Sequence, residues 1–203
     1  MIDDDAGRRI DAGLVDMLWV ELGIRYRTRR CRKRDSWMMR TVARVLAWRG
    51  VMPQDRFLDG FVTTVGRTIY MPDNGKSGRD ILWEVATCVH EHDHVRRWGI
   101  RFMWRYLTDR LWRARYEALA YSTNIAMRYW YAGDWLDIRK LAEKLSSNYG
   151  CDDAGVELAY QIFEDEKERL RLGGVTNLVV EQALTFMRER GVSPSSKWPR
   201  MDL

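Results

Sequence analysis

The chain has 203 residues, 46% hydrophobic and 31% charged, with 4 Pro and 15 Gly, which excludes a disordered, collagen-like or membrane-embedded chain. Its formal charge of +5 is local: Arg25–Arg34 holds seven basic residues and no acidic one, and the remainder has 27 basic against 29 acidic. Cys31, Cys88 and Cys151 are an odd count with no Cys-x-x-Cys pair, which excludes a disulfide framework and a cysteine-rich zinc finger.

In chain order, Met1–Asp5 is acidic and no apolar segment follows it, so no secretory signal is expected. No apolar run approaches the roughly 20 residues of a membrane span. The expected location is cytoplasmic, with a virion or release by lysis as the alternatives. Ile10, Leu14, Leu18 and Leu22, with Val15 and Trp19, predict an amphipathic helix over 10–24. The basic run 25–34 reads either as a solvated arginine-rich strand or loop, or as a site for an anionic polymer through Arg27, Arg29, Arg30 and Arg32. Asp35 or Ser36 caps a second helix through Trp48, with Met38, Val42, Val45 and Leu46 as its buried stripe, ended by Gly50 and Pro53.

Residues 61–72 are rich in β-branched and aromatic side chains around Gly66-Arg67, which predicts a hairpin or two short strands. Residues 72–78 form a loop, and Ser77 with Asp80 resembles a capping box for a helix over 79–98, stopped by Gly99. A further helical region spans 102–131 with a break near Asp109. Helices are then expected at 134–147, 153–171 and 175–190, with a loose tail after Ser193. The fold class is α+β and mostly helical. Residues 1–54 form N-terminal helices, 55–131 the core, and 132–203 a helical extension packed with it.

All three histidines of the chain, His90, His92 and His94, lie in the 79–98 helix as His-Glu-His-Asp-His. His90 and His94 are one turn apart on one face, so both rings can reach one zinc ion. Glu91 lies about 100° round the helix, near enough to reach a water on the metal without ligating it. His92 and Cys88 are each about 200° from His90 and fall off the site, leaving His92 exposed or in an outer layer. Asp93, about 60° from His90, either orients a ligand ring or is a surface carboxylate beside Arg96 and Arg97.

With no fourth histidine, the third ligand is expected to be a carboxylate. Glu117 is the first choice: it lies on the next helix beside the small Ala118 and Ala120, with Tyr121 and Asn124 on its face. The alternatives are an exposed Glu117 paired with Arg113, and Asp109 as the ligand.

His90-Glu91-x-x-His94, followed by Glu117 in Tyr-Glu-Ala-Leu-Ala-Tyr, resembles the zincin metallopeptidases of the Glu-zincin branch, over residues 55–131. The order of elements is similar to small zincin-like proteins of bacteriophages. The resemblance implies one Zn2+ per chain on His90, His94 and Glu117, with Glu91 as general base and acid. Phe61–Pro72 would be the edge-strand region beside the active-site helix. The pattern departs at Tyr116 and Tyr121, where the family's second helix carries Asn and Asp. The family's downstream histidine is also missing, so stabilising the transition state falls to Tyr121, Tyr116 or Arg128. The leading expectation is a zinc metallopeptidase acting on a protein, a peptide or a peptidoglycan cross-link. Two others stand beside it: a non-cleaving zincin scaffold that serves in binding or in a phage structure, and a nucleic-acid-associated protein using the basic segment. The ten Trp are read mostly as core, which ranks the last of these lowest.

Overall fold

A computed structural model describes residues 9–48, 53–72 and 80–199. Helix α1, Ala12–Tyr26, starts where Asp11 accepts a hydrogen bond from the Leu14 amide and ends at Arg27 in the left-handed region. Its stripe of Leu14, Val15, Leu18, Trp19 and Leu22 is buried, as the spacing requires. The turn at Arg27 and Thr28 then delivers the chain into strand β1, Arg29–Arg32. Helices α2, Trp37–Trp48, and α3, Gln54–Gly60, lead to the hairpin of β2, Thr63–Val65, and β3, Thr68–Met71. Gly66 turns the hairpin with a φ of 64°. β1 pairs parallel to β3 and β2 antiparallel to it, giving the order β1-β3-β2 with β1 and β2 as the edges.

The rest is helical: α4, Ile81–Arg97; α5, Ile100–Thr108; α6, Arg110–Ala132; α7, Ile138–Tyr149; α8, Asp153–Arg171; and α9, Leu178–Glu189. Each of α4, α6, α7, α8 and α9 is capped by an Asp or Asn side chain accepting from its first turn. α4 is the central element. It packs against α1, α6, α9 and β2, so nearly every residue from Leu82 to Val95 is buried, polar ones included. α6 packs against α8 closely enough that a Cβ on Gly155 would lie 2.9 Å from that of Ala114. One hydrophobic cluster joins Ile10 of the N-terminal segment to Trp198 near the C-terminus. A smaller one, Met39, Ala43 and Leu58, sits under α2 and α3. No helix among the described residues is long and apolar enough to cross a membrane. The fold is α+β and mostly helical.

Several expectations are corrected. α2 buries Met39 and Ala43, while Val42 and Val45 face outward, because α2 packs on α3 rather than on the main core. The tail is not loose up to residue 199: the Ser195 amide donates to the Trp130 carbonyl, Tyr129 donates to the Lys197 carbonyl, and Trp198 is buried. Gly133, at a φ of 67°, permits this, since a Cβ there would collide with Ser195. Four of the ten Trp (Trp37, Trp48, Trp83 and Trp104) are exposed rather than core. Ser77, Gly50 and Met1–Asp5 lie outside the described residues; Asp80, expected as the capping-box partner inside the helix, is instead the N-cap of α4, accepting from the Leu82 amide.

Candidate metal centre

α4 and α6 pack side by side, and the buried side chains of His90, His94 and Glu117 meet between them. His90 and His94, one turn apart on α4, aim their Nε2 atoms at the same point, 3.1 Å from each other. Glu117 of α6 brings Oε2 to 3.9 Å from the His90 nitrogen and 3.6 Å from that of His94. The centre of a triangle with those sides lies roughly 2.1 Å from each corner, the length of a zinc–imidazole or zinc–carboxylate bond. Glu117 Oε2 is buried and has no hydrogen-bond partner among the described residues. An orphaned carboxylate oxygen facing two imidazole nitrogens is a donor set that a divalent cation satisfies, so the residues present fit a metal ion.

The surroundings hold these three side chains in place. The other Glu117 oxygen, Oε1, accepts a 2.5 Å hydrogen bond from the Tyr106 hydroxyl of α5. The His90 ring meets Tyr121 edge-on with centroids 4.8 Å apart, and Phe102 of α5 flanks His94. Burial pushes the His90 pKa down. At His94 burial acts the same way, but the Glu117 carboxylate outweighs it and takes the ring up to about 9. Burial would raise the Glu117 pKa; the two imidazoles and Tyr106 reverse that and lower it.

Glu91 leaves α4 on the neighbouring side. Its Oε2 accepts a 2.6 Å hydrogen bond from Thr64 Oγ1 of β2, and its carboxylate lines a cleft of about 480 Å3 together with His90, Tyr121, Asn124 and Tyr149. The Tyr121 and Tyr149 hydroxyls are 3.3 Å apart. Burial, and then the charge of Glu117, push the Tyr121 pKa up to about 12, so this phenol keeps its proton at neutral pH. Asn124 reaches the cleft wall, and its side chain is bonded to Thr123. Arg128 also reaches the cleft, but its guanidinium forks onto Asp134 at 2.8 and 2.6 Å. Tyr116 meets Phe102 edge-to-face and packs tilted against Trp112, and is not among the cleft residues.

The residues off the site have other work. His92 is fully buried rather than exposed. Its Nδ1 lies 2.7 Å from the Cys88 carbonyl, which fixes the proton there, so Nε2 accepts from the Thr28 hydroxyl at 3.2 Å. It thus staples α4 to the turn between α1 and β1. Asp93 does pair with Arg96 and Arg97, as one of its two expected readings has it, but it is buried rather than at the surface. Its oxygens accept from Arg96, Arg97 and the Asn177 side chain, pinning the cap of α9 to α4, while His90 Nδ1 is left without a partner. Arg113 donates to three backbone carbonyls instead of Glu117, and Asp109 caps α6 instead of joining the ligands.

The basic run divides. Arg29 and Arg32 stand exposed on β1, Arg30 stacks on Trp19, and Arg27 closes α1. Lys33 is buried with its ammonium on the Phe57 carbonyl at 2.9 Å, and Arg34 forks onto Asp55 and Asp59. β1 is separated from the Glu91 side of the sheet by β3.

Thr64, Tyr106 and Tyr149 are additions that sequence spacing did not reveal. Tyr106 is eleven residues before Glu117, across the Asp109 break, and only the folding of α5 back onto α6 joins them. Compared with known proteins, the chain matches no family model, no curated protein and no solved structure.

Proposed function

We propose that the protein is a zinc-dependent hydrolase, a metallopeptidase in which His90, His94 and Glu117 hold one Zn2+. The observation that carries this reading is the orphaned Glu117 Oε2 facing two imidazole Nε2 atoms at bonding geometry, with Glu91 beside them on an open cleft. Zinc in such a site polarises a carbonyl and makes water a nucleophile at neutral pH.

The chain's own residues supply the rest. Glu91 takes the proton of the attacking water and delivers it to the leaving amine. Thr64 donates to Oε2 of Glu91, which leaves Oε1 to carry that proton. Tyr121, protonated and set against His90, donates a hydrogen bond to the developing oxyanion, with Tyr149 orienting its hydroxyl. β2 is an edge strand whose Thr64 already touches Glu91, so an extended peptide adding to that edge passes the base.

Metal analysis of the purified chain should find about one zinc per chain, and His94→Ala should lose it. Glu91→Gln should keep the zinc while hydrolysis of a quenched fluorescent peptide library, or of purified peptidoglycan, disappears. A correctly folded chain that takes up no zinc would sink this reading. A chain that holds zinc but cleaves neither substrate class, with or without Glu91, is a binding scaffold instead.

A further inference from the structure

Helix α5 presents its apolar side to water. Ile100 is 85% exposed, Trp104 69% and Leu107 65%, while Phe102 is buried and Tyr106 turns in toward Glu117. At about 100° per residue, the three exposed side chains fall within roughly 60° of one another, a single outward stripe with Met103 at its edge. A helix that faces only water carries the opposite pattern, with its polar side out.

The charges beside this stripe have one sign. From Arg96 to Arg115 the chain has seven arginines and one acidic residue, Asp109, whose side chain caps α6. Arg101, Arg110 and Arg115 are exposed, and Arg105 and Arg115 stack on the Trp112 ring. Among the described residues no carboxylate pairs with these four arginines. Leu111, just past the α5–α6 corner in the chain, is exposed as well.

We propose that this face docks the protein onto an anionic lipid bilayer, with α5 lying in the plane of the headgroups. The pattern is that of an interfacial helix: aliphatic and Trp side chains directed outward, with cationic flanks that complement negative headgroups. A nucleic-acid phosphate backbone uses the cations but gains nothing from Ile100 and Leu107. The inner side of the same helix holds Tyr106 on Glu117 and Phe102 beside His94, so docking sets the His-His-Glu group one helix away from the membrane surface. The proposal does not depend on the metal reading, because lipid binding is measured without catalysis.

The test is sedimentation of the full chain with vesicles of phosphatidylcholine, with and without phosphatidylglycerol, at low and high salt. Binding is expected only with phosphatidylglycerol, weakening as salt rises. The double variant Trp104→Glu/Leu107→Glu alters exposed positions and leaves the fold intact by circular dichroism; it should lose binding on the order of a hundredfold. Arg101→Gln, which keeps the stripe, should lose about fivefold. No binding to phosphatidylglycerol overturns the proposal, as does equal binding by the double variant, which would place the contact on β1. A lipid-free dimer that the double variant dissociates also overturns it, making α5 a contact between copies of the chain.

Discussion

A single hydrogen bond decides how well Glu117 is aimed. The Tyr106 hydroxyl occupies Oε1 and so leaves Oε2 as the one oxygen directed at His90 and His94. Without that donor the carboxylate is free to rotate and to compete with itself for both positions. Groups that orient a metal ligand typically contribute 10–100-fold in affinity. Tyr106→Phe keeps the ring stacked on Phe102 and removes only the hydroxyl. It should therefore weaken zinc binding about 10–100-fold, measured by competition with a chromogenic chelator, with the helical circular dichroism unchanged. Equal affinity in the two proteins would mean that packing alone aims Glu117.

Among the elements, β1 and α3 are joined by an unusual plug. Lys33, the residue after β1, buries its ammonium against the Phe57 carbonyl of α3, with the Phe57 ring 4.1 Å away. Burial lowers its pKa to about 8, against the opposing pull of Glu91 and Asp59. Between about pH 8 and pH 10.5 the unfolded chain therefore holds a proton that the folded chain has released. Stability rises with pH wherever the unfolded state binds more protons, so this lysine destabilises the fold below pH 8 and ceases to do so by pH 10.5. Relative to Lys33→Met, the natural protein should gain about 3 kcal/mol across that window, read from urea unfolding at both ends. A pH-independent difference between the two proteins would refute it. The same region marks the limit of what the sequence discloses. α8 is expected at 153–171 and found at Asp153–Arg171, because a capping Asp152 and a periodic stripe are local signals. The hairpin is equally local, with Gly66 at its turn. β1 has no such signal: its partner β3 lies some 40 residues on, and pairing alone makes Arg29–Arg32 a strand. α3, seven residues with only Leu58 buried, is too short to show a period. At the site, the placing of His90, Glu91 and His94 follows from helix spacing, and Glu117 from elimination and its small neighbours. Thr64 and Tyr106 come from elements that meet only in three dimensions.

At the scale of the molecule, the His-His-Glu group places buried polar atoms inside the main core. α4 and α6 both contribute to the larger hydrophobic cluster, and between them lie two imidazoles and a carboxylate with unpartnered atoms among the described residues, His90 Nδ1 and Glu117 Oε2. Buried polar atoms without partners cost stability, and a cation held by Nε2 of His90 and His94 and by Oε2 of Glu117 would offset the cost at Oε2 while tying the two helices together. A ligand that binds only the folded chain stabilises it by about 4 kcal/mol at a thousand times its dissociation constant. For a chain of this size that corresponds to roughly 8–16 °C in melting temperature. Stripping the metal with a strong chelator should therefore lower the calorimetric melting temperature by that amount, and restoring zinc should reverse it. His94→Ala, which lacks one of the three ligands, should melt at the lower temperature and respond to neither treatment. If the natural protein melts at the same temperature before and after chelation, the group between α4 and α6 is a buried polar cluster that folds without a metal.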